Sequence, residues 1–325
     1  MDALFIIDTP DTLNPDADSS YVMITEALRR GHQPWGTTLE DLLLDGNEAV
    51  AHAHPLVLSA PRGERRPRIV PSGASARRAL SSFAVVLMRT DPPFDQDYLT
   101  ATWCLDLARE QTLVLNDPRG LRDLNEKLSI LSFPDLIPPT KMLRRPADLR
   151  AALAEFGGKM VVKPVFGFGG REVFRAFAGD PNLGALFEVA TRDGTQWTIA
   201  QAFLQAATEG DKRVLLVDGE PIGAVTRVPA PGEARNNFHA GGRPAYADLS
   251  ARDREICSRV GPFLSARGQF FVGLDIIGDL LTEINVTSPT GMQEINELQQ
   301  LENENTMQAV FWLRLEAKLS ARAHS

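Results

Sequence analysis

The chain has 325 residues, enough for two or three domains with buried cores, and its 43% hydrophobic and 23% charged content is ordinary for a globular protein. Its 34 basic and 42 acidic side chains give a net charge of −8, which argues against the basic surface of a nucleic-acid binder. A few internal cations around a small anion remain compatible with that charge. The two cysteines, Cys104 and Cys257, are too few for a disulfide framework or a cysteine-rich metal site. No apolar run reaches membrane-spanning length, so no membrane partner is expected.

Residues 3–7 predict a first strand rather than a signal peptide, because no basic segment precedes them, and a cytoplasmic location follows as an expectation. After a breaker-rich loop to Asp18, Ser19 is placed as the cap of a helix that runs to Arg30 and stops at Gly31. Residues 42–59 read as a hairpin turning at Asp45-Gly46. Ser59 to Ser82 carries three prolines, two glycines and six arginines with little periodicity, and reads as an exposed connection. A strand (83–88), a helix (98–109) and a further strand (112–115) follow. This alternation predicts a small parallel-sheet domain ending near residue 122.

A helix is then predicted over Arg122–Leu131, a strand over Thr140–Leu143, a helix over Ala147–Phe156 and a strand over Lys159–Lys163. A helix from Asn182 closes that stretch. Strands dominate beyond residue 196, at 197–203, 212–217, 222–228, 270–277 and 281–286, with helices at 250–266 and 306–321. Hairpin connections such as Asp218-Gly219 predict a largely antiparallel sheet.

Three stretches can carry chemistry. Lys163 closes a strand and is followed by Gly167, Gly169 and Gly170, so a cation and several backbone N–H groups can surround phosphate oxygens. The loop is neither a Walker A sequence nor a dinucleotide fingerprint. Glu283 and Asn285 are two apart on one strand and share a face, with Asp275 on the strand before; three oxygen donors there suit Mg²⁺. Asp275 and Glu283 share a face only if facing residue numbers sum to an even value, with 275 opposite 283 as the simplest case. That requires a three-residue turn near Asp279 or a bulge instead of a tight turn on Gly278-Asp279. Finally, Asp211, Arg213, Arg227, Arg235 and Arg243 flank or occupy residues 228–243, which are too long and irregular for a hairpin turn and read as a lid whose arginines clamp a phosphoryl group. No Ser or Cys sits in a nucleophile-elbow context.

Taken in order, Asp18-Ser19-Ser20, Met88 through Asp95, Leu121 through Leu128, Gly210 through Val214, Ala240 through Arg243 and Val272 through Gly291 closely resemble the bacterial glutathione synthetases of the ATP-grasp superfamily. The resemblance spans roughly residues 1–320. It implies an α/β fold of three domains: an N-terminal parallel-sheet domain (1–122), a central domain (123–203) and a C-terminal domain (204–325), the last two mixed or antiparallel, with ATP held between them. It places Lys127 and Lys163 on the phosphates and the Gly167–Gly170 loop over them. Gln201, Ala202, Phe203 and Leu204 fall at the adenine hinge and Asp211 at the ribose. Asp275, Glu283 and Asn285 match ligands of Mg²⁺, with Mn²⁺ as the alternative ion, and Arg213 and Arg227, with Arg235 on the lid, match residues on the reacting groups. Asp18, Ser19, Arg89, Asp91, Gly241, Gly242, Ser288 and Thr290 are the implied substrate contacts. The implied reaction passes the γ-phosphoryl group of ATP to γ-glutamylcysteine, and glycine then displaces phosphate; the implied assembly is a homotetramer. A related ligase with another amine or peptide acceptor, and a non-catalytic ATP-binding protein, are the competing readings. Phe166 and Phe168 are bulky for such a glycine loop.

Overall fold

Leu4, Phe5 and Ile6 are fully buried, and the short apolar run that contains them forms the middle strand of the first sheet in the computed structural model. The structure describes residues 1–59, 66–230, 232, 236 and 241–324. The first sheet is built from β1 (Asp2–Ile6), β2 (Gln33–Thr37), β3 (Leu42–Asp45), β4 (Glu48–Leu58), β5 (Ile69–Pro71), β6 (Ala76–Ala79), β7 (Val85–Met88) and β8 (Leu113–Leu115). β2, β1, β7 and β8 pair in parallel, as the strand–helix alternation predicts, and β4 adds an antiparallel flank. Helices α1 (Ser19–Arg29), α2 (Gln96–Ala108) and α3 (Pro118–Asp123) connect the parallel strands and follow the last of them.

Three expectations are corrected here. The cap of α1 is Asp18, not Ser19: the Asp18 carboxylate accepts the N–H of Ser20, leaving the Ser19 hydroxyl free to accept the N–H of Met292 at 3.4 Å. Of the segment 59–82, residues 60–65 lie outside the described part, but the rest is not a plain connection, because β5 and β6 both pair with β4. There Arg78 stacks 4.6 and 4.1 Å from the ring centres of Trp35 and Phe83 and pairs with Asp2, so internal contacts occupy this arginine. The helix predicted over Arg122–Leu131 does not form: α3 ends at Asp123, and only a 3₁₀ turn, Ser129–Ser132, follows. Asn125 accepts the N–H groups of Lys127 and Leu128, and Glu126 accepts those of Val286 and Thr287. These side-chain bonds hold the backbone away from a helical course.

The second sheet runs in the order β11 (Phe174–Phe177), β10 (Lys159–Pro164), β12 (Thr198–Ala202), β9 (Thr140–Leu143), all antiparallel, and packs on α4 (Pro146–Glu155) and α5 (Leu183–Thr191) through Leu149, Leu153, Val162 and Phe187. The third runs β15 (Arg243–Tyr246), β14 (Glu220–Val228), β13 (Asp211–Val217), β16 (Phe271–Ile277), β17 (Leu280–Asn285), also antiparallel. On β13 the even residues Val214 and Leu216 pack against α6 (Ala251–Ser265) in one core. Leu215 and Val217 face the other core, which includes α7 (Met292–Leu298) and α8 (Met307–Ala323). That second face is covered at one end only, and Asp211 and Arg213 lie where the cover stops. Asn116 locks the first sheet to the third by accepting the N–H groups of Phe270 and Phe271 and donating to the carbonyls of Phe271 and Val286 at 2.8 and 2.7 Å.

Candidate functional site

The open end of the third sheet forms the floor of a cleft of about 520 Å³. Arg213 on β13 stands opposite Asp275 on β16, which stands opposite Glu283 on β17, so the three share one face. The hairpin reaches this register through a tight turn at Gly278, φ 60°, and a bulge that leaves Thr282 unpaired between Leu281 and Glu283. Without the extra residue, Glu283 would point away from the cleft.

The charges on the floor are paired. Arg213 holds Asp275 through both carboxylate oxygens at 2.5 and 3.0 Å, and Arg227 holds Asp211 in the same way at 2.6 and 2.6 Å. Arg227 also reaches Asp275 at 2.8 Å and closes a four-member network. Burial alone would raise the Asp275 pKa, but Arg213 and Arg227 outweigh it and hold this carboxyl well below the usual carboxylate range. Gly273 makes the arrangement possible, since a Cβ there would stand 2.9 Å from Cδ of Arg213.

Two lysines approach from the second sheet and the connector. Lys127 pairs with Glu283 at 2.9 Å and donates to the carbonyl of Gly167, which ties the glycine loop to the floor. Burial works against the Lys127 charge, but Glu283 and Glu126 overcome it and raise the pKa. Burial lowers the pKa of Lys163, which donates to Gln201 Oε1 at 3.2 Å and the Thr282 carbonyl at 3.4 Å. Gly169 and Gly170 adopt φ of 59° and 74°, the left-handed region that glycine enters freely.

Of the sequence-predicted residues, Lys127, Lys163, Gly167, Gly169, Gly170, Gln201, Phe203 and Asp211 line the cleft, with Asp91, Arg213, Arg227, Asp275, Glu283, Asn285, Ser288 and Thr290. Val161, Val173, Phe203 and Ile277 give the cleft an apolar end that suits a flat ring. Ala202, Leu204, Gly241 and Gly242 are not on its wall. Arg89 is buried beside the cleft and donates to Ser20 Oγ and the Pro289 carbonyl, joining the Asp18-Ser19 corner to Ser288 and Thr290. Arg235 lies outside the described residues, as do residues 231, 233, 234 and 237–240 of the expected lid. Site residues missing from the expectation are Glu126, which accepts the N–H groups of Val286 and Thr287 beside Lys127, and Arg175, which stands 5.3 Å from the ring centre of Phe203. Glu126 lay within a matched stretch, yet its role depends on a partner 160 positions away.

Sequence comparison settles the family. The profile of the prokaryotic glutathione synthetase N-terminal domain matches residues 1–122 and that of the family's ATP-grasp domain matches residues 126–300. The chain belongs to the prokaryotic glutathione synthetases. It is accordingly an ATP-dependent ligase. It is 45% identical to the glutathione synthetase of Nitrosomonas europaea, over 91% of this chain and 93% of that one. It is 39% identical to that of Brucella melitensis, over 96% and 97%. Among solved structures, D-cycloserine synthetase DcsG superposes with a TM-score of 0.65 at 16% identity, covering 98% of this chain and 99% of that one. The ATP-grasp ligase PsnB, solved with minimal precursor, Mg and ADP, gives 0.59 at 18%, covering 98% of each. These two likenesses establish the fold.

Proposed function

We propose that this chain uses ATP to join the cysteinyl carboxylate of γ-glutamylcysteine to glycine, releasing glutathione, ADP and phosphate. The observation that carries the reading is the convergence of Lys127, Lys163, Arg213 and Arg227 on one cleft. On this reading residues 1–122, 123–203 and 204–325 are three domains, with ATP between the second and third sheets, its base at the apolar end beside Gln201 and Phe203 and its phosphates toward Lys127 and Lys163.

A carboxylate is a poor electrophile, and a transferred phosphoryl group gives it a leaving group. The protein needs no nucleophile of its own: it aligns the two anions and balances their charge. Arg213 and Arg227 face the carboxylate and the phosphoryl group, while both lysines face the nucleotide. The acyl phosphate must be kept from water, and residues 228–243, with Arg235, Gly241 and Gly242, are the proposed lid.

The donor chemistry fits Mg²⁺ or Mn²⁺. Glu283 borders the cleft, and Asn285 turns its amide nitrogen to the Gly273 carbonyl, which leaves its oxygen as a donor. Asp275 has both oxygens on guanidinium groups, so it would join them by exchanging arginine contacts. When bound, the metal neutralises phosphate charge. Asp211 would release Arg227 in the same manner to reach a ribose.

A cytoplasmic homotetramer belongs to the same reading. Among the described residues no helix is long and apolar enough to cross a membrane. The test is a product assay with ATP, Mg²⁺, γ-glutamylcysteine and glycine. ADP and phosphate should appear in step with peptide and depend on both acceptor substrates; AMP and pyrophosphate would rule out the acyl-phosphate route.

A further inference from the structure

β17 is the edge strand of the third sheet, so the N–H groups on its outer side have no neighbouring strand to bond. One residue of the connector takes their place as acceptor. The Glu126 carbonyl accepts the N–H of Ile284 at 2.9 Å. Glu126 Oε1 accepts the N–H groups of Val286 at 3.0 Å and Thr287 at 3.1 Å, and the Thr287 hydroxyl at 2.9 Å. Four bonds to a single residue thus fasten the connector to the end of the strand that carries Glu283 and Asn285.

The residues on either side carry this anchor into the cleft. Asn125 Oδ1 accepts the N–H groups of Lys127 and Leu128, both at 3.0 Å, which bends the chain directly after Glu126. The Asn125 amide nitrogen donates to the Val165 carbonyl at 3.2 Å, at the foot of the glycine loop. Lys127 then bridges floor and loop: its ammonium stands 2.9 Å from Glu283 Oε1 and donates to the Gly167 carbonyl. A lysine carries its charge on a flexible four-carbon stem, so the place of that charge depends on how firmly the backbone beneath it is held. Beneath Lys127 the hold comes from Glu126.

We propose that Glu126 is the positioning residue for Lys127: its bonds to Ile284, Val286 and Thr287 fix the lysine ammonium relative to Glu283. Within the reaction proposed above, on which this inference rests, Lys127 faces the phosphates of ATP. Glu126 therefore sets nucleotide affinity through Lys127 and not through a nucleotide contact of its own. All four donors to Glu126 are neutral, so what they require is an acceptor oxygen in that place.

The test is a double-mutant cycle read by calorimetric titration of each protein with ATP and Mg²⁺. Glu126→Ala should weaken ATP binding by about tenfold, the worth of one or two hydrogen bonds, and leave the KM of γ-glutamylcysteine within about twofold of wild type. Glu126→Gln, which keeps an acceptor oxygen, should recover most of that loss. In a Lys127→Met background the same Glu126→Ala change should alter ATP binding by less than about twofold, because the group it positions is gone. Additive losses in the cycle, or a Glu126→Gln variant as weak as Glu126→Ala, would overturn the assignment; where Lys127→Met binds too weakly to titrate, the glutamine comparison decides alone. An equal loss for ATP and γ-glutamylcysteine would overturn it too, since a merely structural anchor gives that result. Should Glu126→Ala not fold, Glu126→Asp, whose carboxylate is withdrawn by one methylene, takes its place with the same criteria. Failure of the wild type to bind ATP, or to form ADP from the full substrate mixture, would instead sink the proposed reaction before any variant is compared.

Discussion

On the floor of the cleft Asp211, Arg213, Arg227 and Asp275 are each less than a tenth exposed, and every one is bonded to another. On the glycine loop across from it, Phe166 is 64% exposed and Glu172 holds a φ of 55°, unusual for a residue with a side chain. Strand register fixes the floor, where each charged residue has its partner directly opposite or two positions along. The loop is held by Lys127, whose ammonium bonds the Gly167 carbonyl. A buried network of opposite charges is rigid because each member would be left uncompensated if another moved. Among the described residues the loop has no such network, so the floor should combine catalysis with folding stability while the loop affects nucleotide binding alone.

The largest test of that contrast is Asp275→Asn. Removing one partner from a buried pair typically costs 3–5 kcal/mol, and a loss of about this size should appear in urea denaturation. A loss below about 1 kcal/mol would place the network on the same footing as a surface ion pair. The pH dependence sharpens it. Because the folded-state pKa of Asp275 lies below its unfolded value, its stabilisation is fully present above the unfolded carboxylate value, about 3.9, and is lost as pH falls toward the folded value. The stability gap between wild type and Asp275→Asn should therefore be constant near neutrality and narrow below about pH 4. A gap that widened in acid would contradict the assigned direction.

Glu283→Gln separates chemistry from folding at the edge of the same floor. Glu283 is 19% exposed at its side chain and pairs with Lys127 alone among the described residues, so the fold should tolerate the change. Loss of a charge aimed at the proposed phosphate and metal site should lower kcat by about 10²–10³-fold, the usual size for one preorganised electrostatic contact. Near-normal turnover would remove Glu283 from the metal site.

The floor was also the part most legible in the sequence. Alternation puts Glu283 and Asn285 on one face, parity brings Asp275 to it through either a three-residue turn or a bulge, and the hairpin contains the bulge. Such rules are local and need only the residue count of a hairpin. Features fixed by distant partners were not legible. The helix expected over 122–131 lost in part to bonds between Glu126 and the segment just past β17, 160 positions away. Strands β5 and β6 are short, and pairing with β4 defines them more than their own pattern does. That Asp211 and Asp275 are engaged by arginines is likewise a property of the packed sheet, since nothing in their spacing reveals which cation lies opposite. The capping of α1 shows the limit at single-residue scale, because Asp18 and Ser19 are both good caps and only the tertiary bond from Met292 tells them apart.

The smallest expected effect, and the sharpest on the loop side, is that of Phe166→Ala. Phe166 borders a recess of about 50 Å³ whose other walls include Pro92 and Phe94 from the first domain and Leu121, Leu124 and Val165 beside the connector. An exposed phenyl ring contributes little to folding, so the unfolding free energy should change by no more than about 0.5 kcal/mol. If the loop settles over phosphates as proposed, the ring has an apolar surface close by, and burying half of such a side chain is worth about 1 kcal/mol. Removing it should therefore raise the KM of ATP by about fivefold while kcat for bound substrates stays near wild type, because the charged groups of the floor are untouched. Leucine at 166 should restore most of the affinity, since the contact is apolar and not specific to an aromatic ring. A variant with unchanged KM for ATP would mean that the ring stays in solvent in the closed complex. One that unfolds more easily by several kcal/mol would erase the distinction between a structural floor and an adaptable loop.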